Sequence, residues 1–160
     1  MKRINQILEH PVYQQKQKRI DELEEDRLFC KHGVDHALDV ARILYILVLE
    51  NQASYQKDVV YAAALLHDLG RCDQYEKGIP HHEASAKIAE PILKDCGYQE
   101  EEIIWIVDAI RSHEFSESTD ENSLKELLFR ADKLSRNCFD CKVEKDCYWD
   151  IEQKNQTILY

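Results

Sequence analysis

The dipeptide His67-Asp68 is the feature of this chain with the clearest chemical meaning, because it directly follows an apolar run from Val59 to Leu66. An imidazole beside a carboxylate at the end of a buried helix is costly unless a partner offsets the loss of water. A divalent metal ion would do so, because imidazole and carboxylate are both metal ligands. The dipeptide is therefore a candidate metal-binding element.

Other candidate ligands border the apolar stripes of predicted helices. His36 precedes Val40 and Ile43 by four and seven residues, so helical geometry places all three on one face. His113 follows Ile110 at a distance of three residues. Two further candidates also adjoin apolar helix positions, namely His81 and Asp132. Each alone could be a cap, a core group or an ion-pair partner, but their order on successive helices indicates one shared cavity.

The elements that position these residues are predicted to be helices. Apolar residues recur at i, i+3, i+4 and i+7, no segment alternates as a strand would, and the chain has only four Gly and three Pro. Gly70 is expected to end the helix that precedes it, and a loop is expected over 71–80. The predicted helices cover residues about 2–9, 11–27, 34–48, 57–67, 82–95, 100–111 and 123–136.

The length of 160 residues predicts a single domain with one core. The fold class expected is all-α, a single-domain helical bundle. We expect a core over about 30–137, N-terminal helices over 2–28, and a cysteine-bearing C-terminal tail over 138–160.

Charge and hydropathy exclude several classes of partner. A net charge of −10 argues against nucleic acid, whose backbone requires a basic face. A small phosphorylated substrate stays possible, because bound divalent cations reverse the local sign of a pocket. No apolar run resembles a signal peptide or a membrane span, so we expect a cytoplasmic protein without a membrane partner. The sequence does not indicate the oligomeric state.

Five motif-bearing segments resemble the HD-domain superfamily of metal-dependent phosphohydrolases. They are His36–Arg42, Leu65–Gly70, His81–Ala86, Ile110–Glu114 and Arg130–Leu134. The resemblance implies a helical bundle of the HD-domain type and a metal site formed by the first His, the His-Asp pair and the last Asp. The corresponding residues here are His36, His67, Asp68 and Asp132.

The resemblance also implies a second metal, because members with additional histidines hold one, with the Asp of the pair as the bridge. His81 and His113 match those positions, although His82 is an alternative to His81, and His32 to His36. His36 and His81 are preferred because Val40-Ala41 and Glu83 follow them at suitable spacing. Mixed imidazole and carboxylate ligands favour one or two Fe or Mn ions.

The activity implied is hydrolysis of a phosphate ester or anhydride, in a nucleotide or other small phosphorylated substrate, by a hydroxide that bridges the metals. Asp68 would be the bridging residue, and Lys133 and Arg71 are candidate phosphate contacts or, alternatively, surface ion-pair partners. No Gly-Tyr-Pro follows His113-Glu114, which disfavours cyclic-di-GMP phosphodiesterases of this superfamily. The alternative function is a non-catalytic nucleotide- or redox-sensing module on the same scaffold.

The six cysteines are expected to be reduced in a cytoplasmic protein. Cys138, Cys141 and Cys147 form a C-x2-C-x5-C pattern, and Cys30 is the candidate for a fourth ligand because it precedes the His36 helix. These four could bind a structural zinc ion or an iron–sulfur cluster. Alternatively they are partly buried thiols that fill space. The two remaining cysteines, Cys72 and Cys96, are expected to be structural.

Overall fold

Helices form the frame of the molecule, which confirms the predicted all-α fold class. A computed structural model describes residues 1–115 and 118–160, and these contain eight α-helices, three short 3-10 helices and no strand. Among them, no helix combines the length and hydropathy needed to cross a bilayer. The α-helices are α1 Lys2–Glu9, α2 Pro11–Leu23, α3 Val34–Glu50, α4 Lys57–Leu66, α5 Arg71–Lys77, α6 His81–Asp95, α7 Glu100–Ser112 and α8 Leu124–Leu134.

The core lies between the helices that carry the candidate ligands. α3 packs against α4 and α8, and α7 packs against α6 and α8. Their apolar stripes meet in the interior, where Leu47, Leu66 and Ile106 are fully buried. Each such side chain contributes roughly 1.5–3 kcal/mol by leaving water. The same packing therefore stabilises the domain and fixes the helix ends near which the polar residues lie.

The N-terminal helices pack on this core, but α2 ends earlier than predicted. It stops at Leu23 instead of continuing to about residue 27. The cause is Glu24, which is only 2% exposed and accepts hydrogen bonds from the His32 amide at 2.7 Å and from the Tyr75 hydroxyl. An inward carboxylate with these partners draws the chain away from the helix axis.

The prediction of a loop over 71–80 is wrong for Arg71–Lys77, which form the helix α5. The segment lacks an apolar stripe, and its helix depends on tertiary partners. Asp73 forms ion pairs with Lys16 of α2 and with Lys77 one turn later, while Cys72 is buried. Tertiary contacts can override a weak local pattern in this way.

Gly70 does not adopt the left-handed conformation of a helix C-terminus, because its φ and ψ are −79° and −3°. It is needed for close approach instead. A β-carbon at this position would lie 2.3 Å from the carbonyl oxygen of His81 and 2.5 Å from the amide nitrogen of Ser85. The Gly70 amide donates to Ser85 Oγ at 2.8 Å. This contact brings the start of α6 against the His67-Asp68 dipeptide.

Candidate metal centre

All six residues predicted as ligands converge on one buried cluster. Its side chains are at most 8% exposed, although all six are polar. The ends of several helices supply them. His36 lies in α3, His67-Asp68 follows α4, His81 starts α6, His113 follows α7, and Asp132 lies in the last turn of α8.

Asp68 lies at the centre of the cluster, with its two oxygens facing different histidines. Its Oδ2 is 3.1 Å from Nε2 of His67 and 3.6 Å from Nε2 of His36. Its Oδ1 is 3.3 Å from Nε2 of His81 and 3.8 Å from Nε2 of His113. Within each of these two groups, ligand atoms lie within 4.8 Å of one another. The geometry is that of two adjoining ligand groups that share one carboxylate.

Two of the histidines are held by backbone carbonyls. The Nδ1 atom of His67 is 2.7 Å from the Ala64 oxygen, and that of His113 is 2.6 Å from the Ile110 oxygen. Because a carbonyl oxygen only accepts, both rings carry a hydrogen on Nδ1 and direct Nε2 toward Asp68. An outer contact of this kind fixes the tautomer of metal-binding histidines.

His36 is oriented by the end of α8. Ser135 Oγ donates to the Asp132 carbonyl oxygen at 2.7 Å, so it accepts from His36 Nδ1 at 3.3 Å. Nε2 of His36 then faces Asp132 Oδ1 at 3.2 Å and the guanidinium of Arg136 at 3.0 Å. Arg136 was not predicted from the sequence. Its spacing of four residues from Asp132 was the available signal, because it places both on one helix face.

The neighbouring histidines differ in the groups that they face, and His82 forms a third potential ligand group with His81 and Glu114. His81 is fully buried and faces Asp68, whereas His82 points to Glu114, with Nδ1 2.7 Å from Oε2. Glu114 also lies 3.4 Å from Nδ1 of His81, and its place beside the second ligand group was not predicted. His32 is buried with its Nδ1 bonded to Glu24, and it belongs to none of the potential ligand groups among the described residues.

The donor atoms fit a bound cation. Among the described residues, the buried atoms without a hydrogen-bond partner include His67 Nε2, Asp68 Oδ2 and His81 Nδ1. Each unsatisfied buried atom costs about 1–3 kcal/mol. The first two face each other at 3.1 Å, and both can present lone pairs. A divalent ion between them would satisfy both, and the four imidazoles and two carboxylates of the cluster are suitable ligands.

The part of the cluster that contains Asp68 and Asp132 also requires a compensating positive charge. Burial favours the neutral ring of His67, but the contacts and negative charges of Asp68 and Asp132 together outweigh burial and raise the pKa of His67 to about 10. Burial likewise opposes ionisation of Asp68 and Asp132, yet the histidines around them hold the pKa of each carboxyl well below its usual range. In the absence of a metal, a proton on His67 provides the compensating charge.

The second histidine pair has the opposite character. Burial lowers the pKa of His81 to about 2 and that of His113 to about 4, and the neighbouring positive charges act in the same direction. Both rings are therefore neutral near pH 7. Neutral imidazole is the form that binds a metal ion, so no net proton has to be released on this side.

The two predicted phosphate contacts lie beside the cluster. Arg71 Nε is 3.0 Å from Asp68 Oδ1, and Lys133 Nζ is 2.8 Å from Asp132 Oδ2. Both are ion-paired, as the alternative interpretation expected, but their partners are carboxylates of the cluster and not of the surface. Both residues also line a cavity of about 510 Å³ that opens onto His36 and Asp132.

Comparison with known proteins agrees with this arrangement. A family model described as HD domain matches residues 33–137, a range that contains all six clustered residues. A protein of Clostridium beijerinckii, described as an uncharacterized protein, is 42% identical over 160 residues and is covered over 100% of its length, as is the present chain. No solved structure matches the chain.

Proposed function

The chain belongs to the HD-domain superfamily of metal-dependent phosphohydrolases, as its motifs predict, and we propose that it hydrolyses a phosphate ester or anhydride of a nucleotide or other small phosphorylated substrate. The observation that carries the proposal is the position of Asp68, whose oxygens face one histidine pair each. Bound divalent ions would supply a nucleophile from water at neutral pH and positive charge for the phosphate.

The residues divide into two ligand groups in this proposal. Asp68 belongs to both groups. The first group contains His36, His67, Asp68 and Asp132, and the second contains Asp68, His81 and His113. Ligands of this mixed type favour Fe or Mn. The anchored Nδ1 atoms of His67 and His113 support the assignment, because they hold the rings in the orientation that binding requires.

Three cations would bind the phosphate. Arg71, Lys133 and Arg136 line the cavity beside the cluster. Lys133 is 39% exposed on its side chain, whereas Arg136 is 10% exposed, so Lys133 has the greater freedom to turn toward a substrate. Their charges would stabilise the negative charge of the phosphoryl group in the transition state. These three residues place positive charge beside the cluster in a chain of net charge −10.

The remaining wall supports a nucleotide as the substrate. Phe29, Tyr148 and Trp149 line the same cavity. Aromatic faces stack on nucleobases whatever the base, because every base has a π-face. The volume of about 510 Å³ lies within the range of about 300–1,000 Å³ that is usual for small-molecule sites. Basic groups near the cluster and aromatic groups further out suit a phosphate joined to a base.

The test is hydrolysis by the chelated and reloaded protein. Protein stripped of metal is reloaded with Fe2+ under anaerobic conditions or with Mn2+, and is assayed on nucleotides, dinucleoside polyphosphates and sugar phosphates. We expect hydrolysis to disappear on chelation and to return on reloading. Fewer than one bound metal per chain, together with no metal-restored hydrolysis of any substrate, would contradict the proposal.

A non-catalytic sensing module is the second candidate, and one observation favours it. Four cysteines line the same cavity as the cluster, so oxidation of a thiol could alter ligand binding. Tight nucleotide binding without product, changed by thiol oxidation in the metal-loaded protein, would support this candidate over the enzyme.

A further inference from the structure

Four of the six cysteines line the cavity that opens onto the metal cluster. They are Cys30, Cys138, Cys141 and Cys147. The other two, Cys72 and Cys96, are buried elsewhere. Cys30 lies between α2 and α3, whereas Cys138, Cys141 and Cys147 follow α8. The fold therefore brings cysteines that are distant in the sequence to one cavity. The cluster that the HD domain uses for phosphate chemistry does not involve them.

The four sulfur atoms influence one another. Desolvation raises the pKa of the Cys30 thiol, the Arg136 guanidinium opposes this, and the charges that the three tail cysteines would carry as thiolates raise it further. The three tail thiols therefore lie within electrostatic range of Cys30. Thiolates that line one cavity repel each other, and a cation between them would offset this repulsion.

The backbone of the tail suits metal binding. Cys138 begins a 3-10 helix that extends to Asp140, and Cys141 follows directly, with its amide donating to the Cys138 oxygen at 3.2 Å. Cys147 follows a second such turn, Glu144–Asp146, and its amide donates to the Glu144 oxygen at 3.3 Å. Tight turns between closely spaced cysteines are typical of thiolate metal sites.

The tail lacks a core of its own. From Phe139 to Tyr160 no residue is buried. Its attachment is polar, as when Asn155 Nδ2 donates to the carbonyl oxygens of Lys133 and Arg136 at 2.8 Å each. The cysteines here are free, so no disulfide fastens the tail, and a metal bound by these cysteines would cross-link it to the core.

The spacing of the sulfur atoms indicates that binding would tighten this region. In the part of the chain that the structure describes, no three of the four lie within 4.8 Å of one another. Tetrahedral zinc, with bonds of about 2.3 Å, requires sulfur atoms about 3.8 Å apart. A metal would therefore bring the sulfur atoms closer together, which couples binding to ordering of the tail that carries three of them.

We propose that Cys30, Cys138, Cys141 and Cys147 bind a thiophilic metal centre, either a zinc ion or an iron–sulfur cluster, that fastens the C-terminal tail to the core. The consequence reaches the cavity, because Trp149 follows Cys147 by two residues and its ring centroid lies 5.8 Å from Lys133 Nζ. The centre would thus hold one wall of the substrate cavity without taking part in the reaction.

The experiment uses the full chain carrying Asp68→Ala, so that metal in the cysteine site is counted apart from metal in the histidine–aspartate cluster. The protein is purified anaerobically, analysed for zinc, iron and acid-labile sulfide, and reloaded with Co2+. We expect one centre per chain and thiolate-to-cobalt charge-transfer absorption. Zinc without sulfide would identify the ion, and iron with sulfide would identify the cluster.

The matched variants are Cys141→Ser and Cys147→Ser, with Cys96→Ala as the control outside the site. We expect either serine variant to lose the centre and the cobalt absorption, and the control to keep both. In hydrogen exchange, the amides of 139–160 should slow at least tenfold on metal loading only where all four cysteines are present.

A chain that binds no more thiophilic metal than Cys141→Ser, or that joins these cysteines in disulfides when isolated without oxidant, would overturn the proposal. Should Asp68→Ala fail to fold, the cobalt spectrum of the chain with Asp68 gives the same answer, because imidazole and carboxylate ligands produce no sulfur charge-transfer band. None of these readouts depends on phosphatase activity, so the two proposals can fail separately.

Discussion

The histidine–aspartate cluster and the cysteine tail line the same cavity, yet they are built in opposite ways. The cluster lies at the ends of packed helices, with side chains no more than 8% exposed and two rings held by backbone carbonyls. The tail has no buried residue beyond Cys138 and is attached by a few polar contacts. Folding therefore preorganises the first site, whereas the second would be completed by its metal.

The largest effect is expected for Asp132→Ala in the preorganised cluster. The first ion would lose a carboxylate, and even the loss of an outer contact to a metal ligand costs about 10–100-fold. We therefore expect kcat/KM to fall by more than about 100-fold, with unchanged circular dichroism because the helix packing does not depend on this side chain. Asp140→Ala, at an exposed position of the tail, is the control. Retention of a tenth of the activity would show that Asp132 is not a ligand.

A second test distinguishes the role of His81 from that of His82. His81→Ala removes a fully buried ring that faces Asp68, whereas His82→Ala removes a ring that faces Glu114. We expect His81→Ala to lower both kcat/KM and the affinity of the ligand group that contains His81 for its metal by about 10–100-fold. We expect His82→Ala to have less than a tenth of that effect. Metal titration and steady-state kinetics measure both. A larger loss of metal affinity and of kcat/KM in His82→Ala than in His81→Ala would overturn the assignment of the second ligand group.

A smaller effect is expected at the boundary between the two regions, at Lys133. A hydrogen bond to a charged group contributes about 1.5–3 kcal/mol, so Lys133→Ala should lower kcat/KM by about tenfold or more while metal content stays the same. Lys133→Arg keeps the charge and should restore part of the loss. Lys94→Ala, at an exposed ion pair on α6, is the control. Loss of metal in Lys133→Ala would indicate a structural role instead.

The smallest effect is expected in the tail itself. Trp149→Ala removes an aromatic face from the cavity, and contacts of this kind contribute roughly 0.5–1.5 kcal/mol. We expect KM to rise about threefold for a nucleotide substrate and kcat to stay constant, because the ring lies beside Lys133 and is not itself a metal ligand. Trp105→Ala, which removes a ring packed on Tyr55 outside this cavity, should change neither constant. A fall in kcat comparable to that of Asp132→Ala would contradict the separation of the two regions.

The sequence was sufficient to predict the helices that have their own apolar stripe. α3, α4 and α7 have such stripes, and candidate ligands placed at the ends of α4 and α7 do lie in the interior. α5 was not predictable in this way, because its polar sequence becomes helical through the pairing of Asp73 with Lys16 on another helix. A local pattern does not contain a partner 57 residues away.

The same limit explains which residues of the site were missed. Arg136 and Glu114 are ordinary charged residues in the sequence. Arg136 joins the site only because α8 packs against α3, and Glu114 does so only because the end of α7 lies beside α6. Gly70 was interpreted from its usual role at helix ends, whereas its actual role is to admit the backbone of α6. Ligand types follow from chemistry along the chain, but their outer partners follow from packing between helices.

The most direct test of the shared role of Asp68 is a count of bound divalent ions in Asp68→Ala, in a Cys141→Ser background that removes thiolate-bound metal. Protein loaded with Mn2+, or with Fe2+ under anaerobic conditions, is analysed by elemental mass spectrometry beside the same background with Asp68 intact and beside Asp95→Ala, an exposed carboxylate. We predict two ions per chain in both controls and none in Asp68→Ala. Retention of one or two tightly bound ions in Asp68→Ala would contradict a carboxylate shared by both positions.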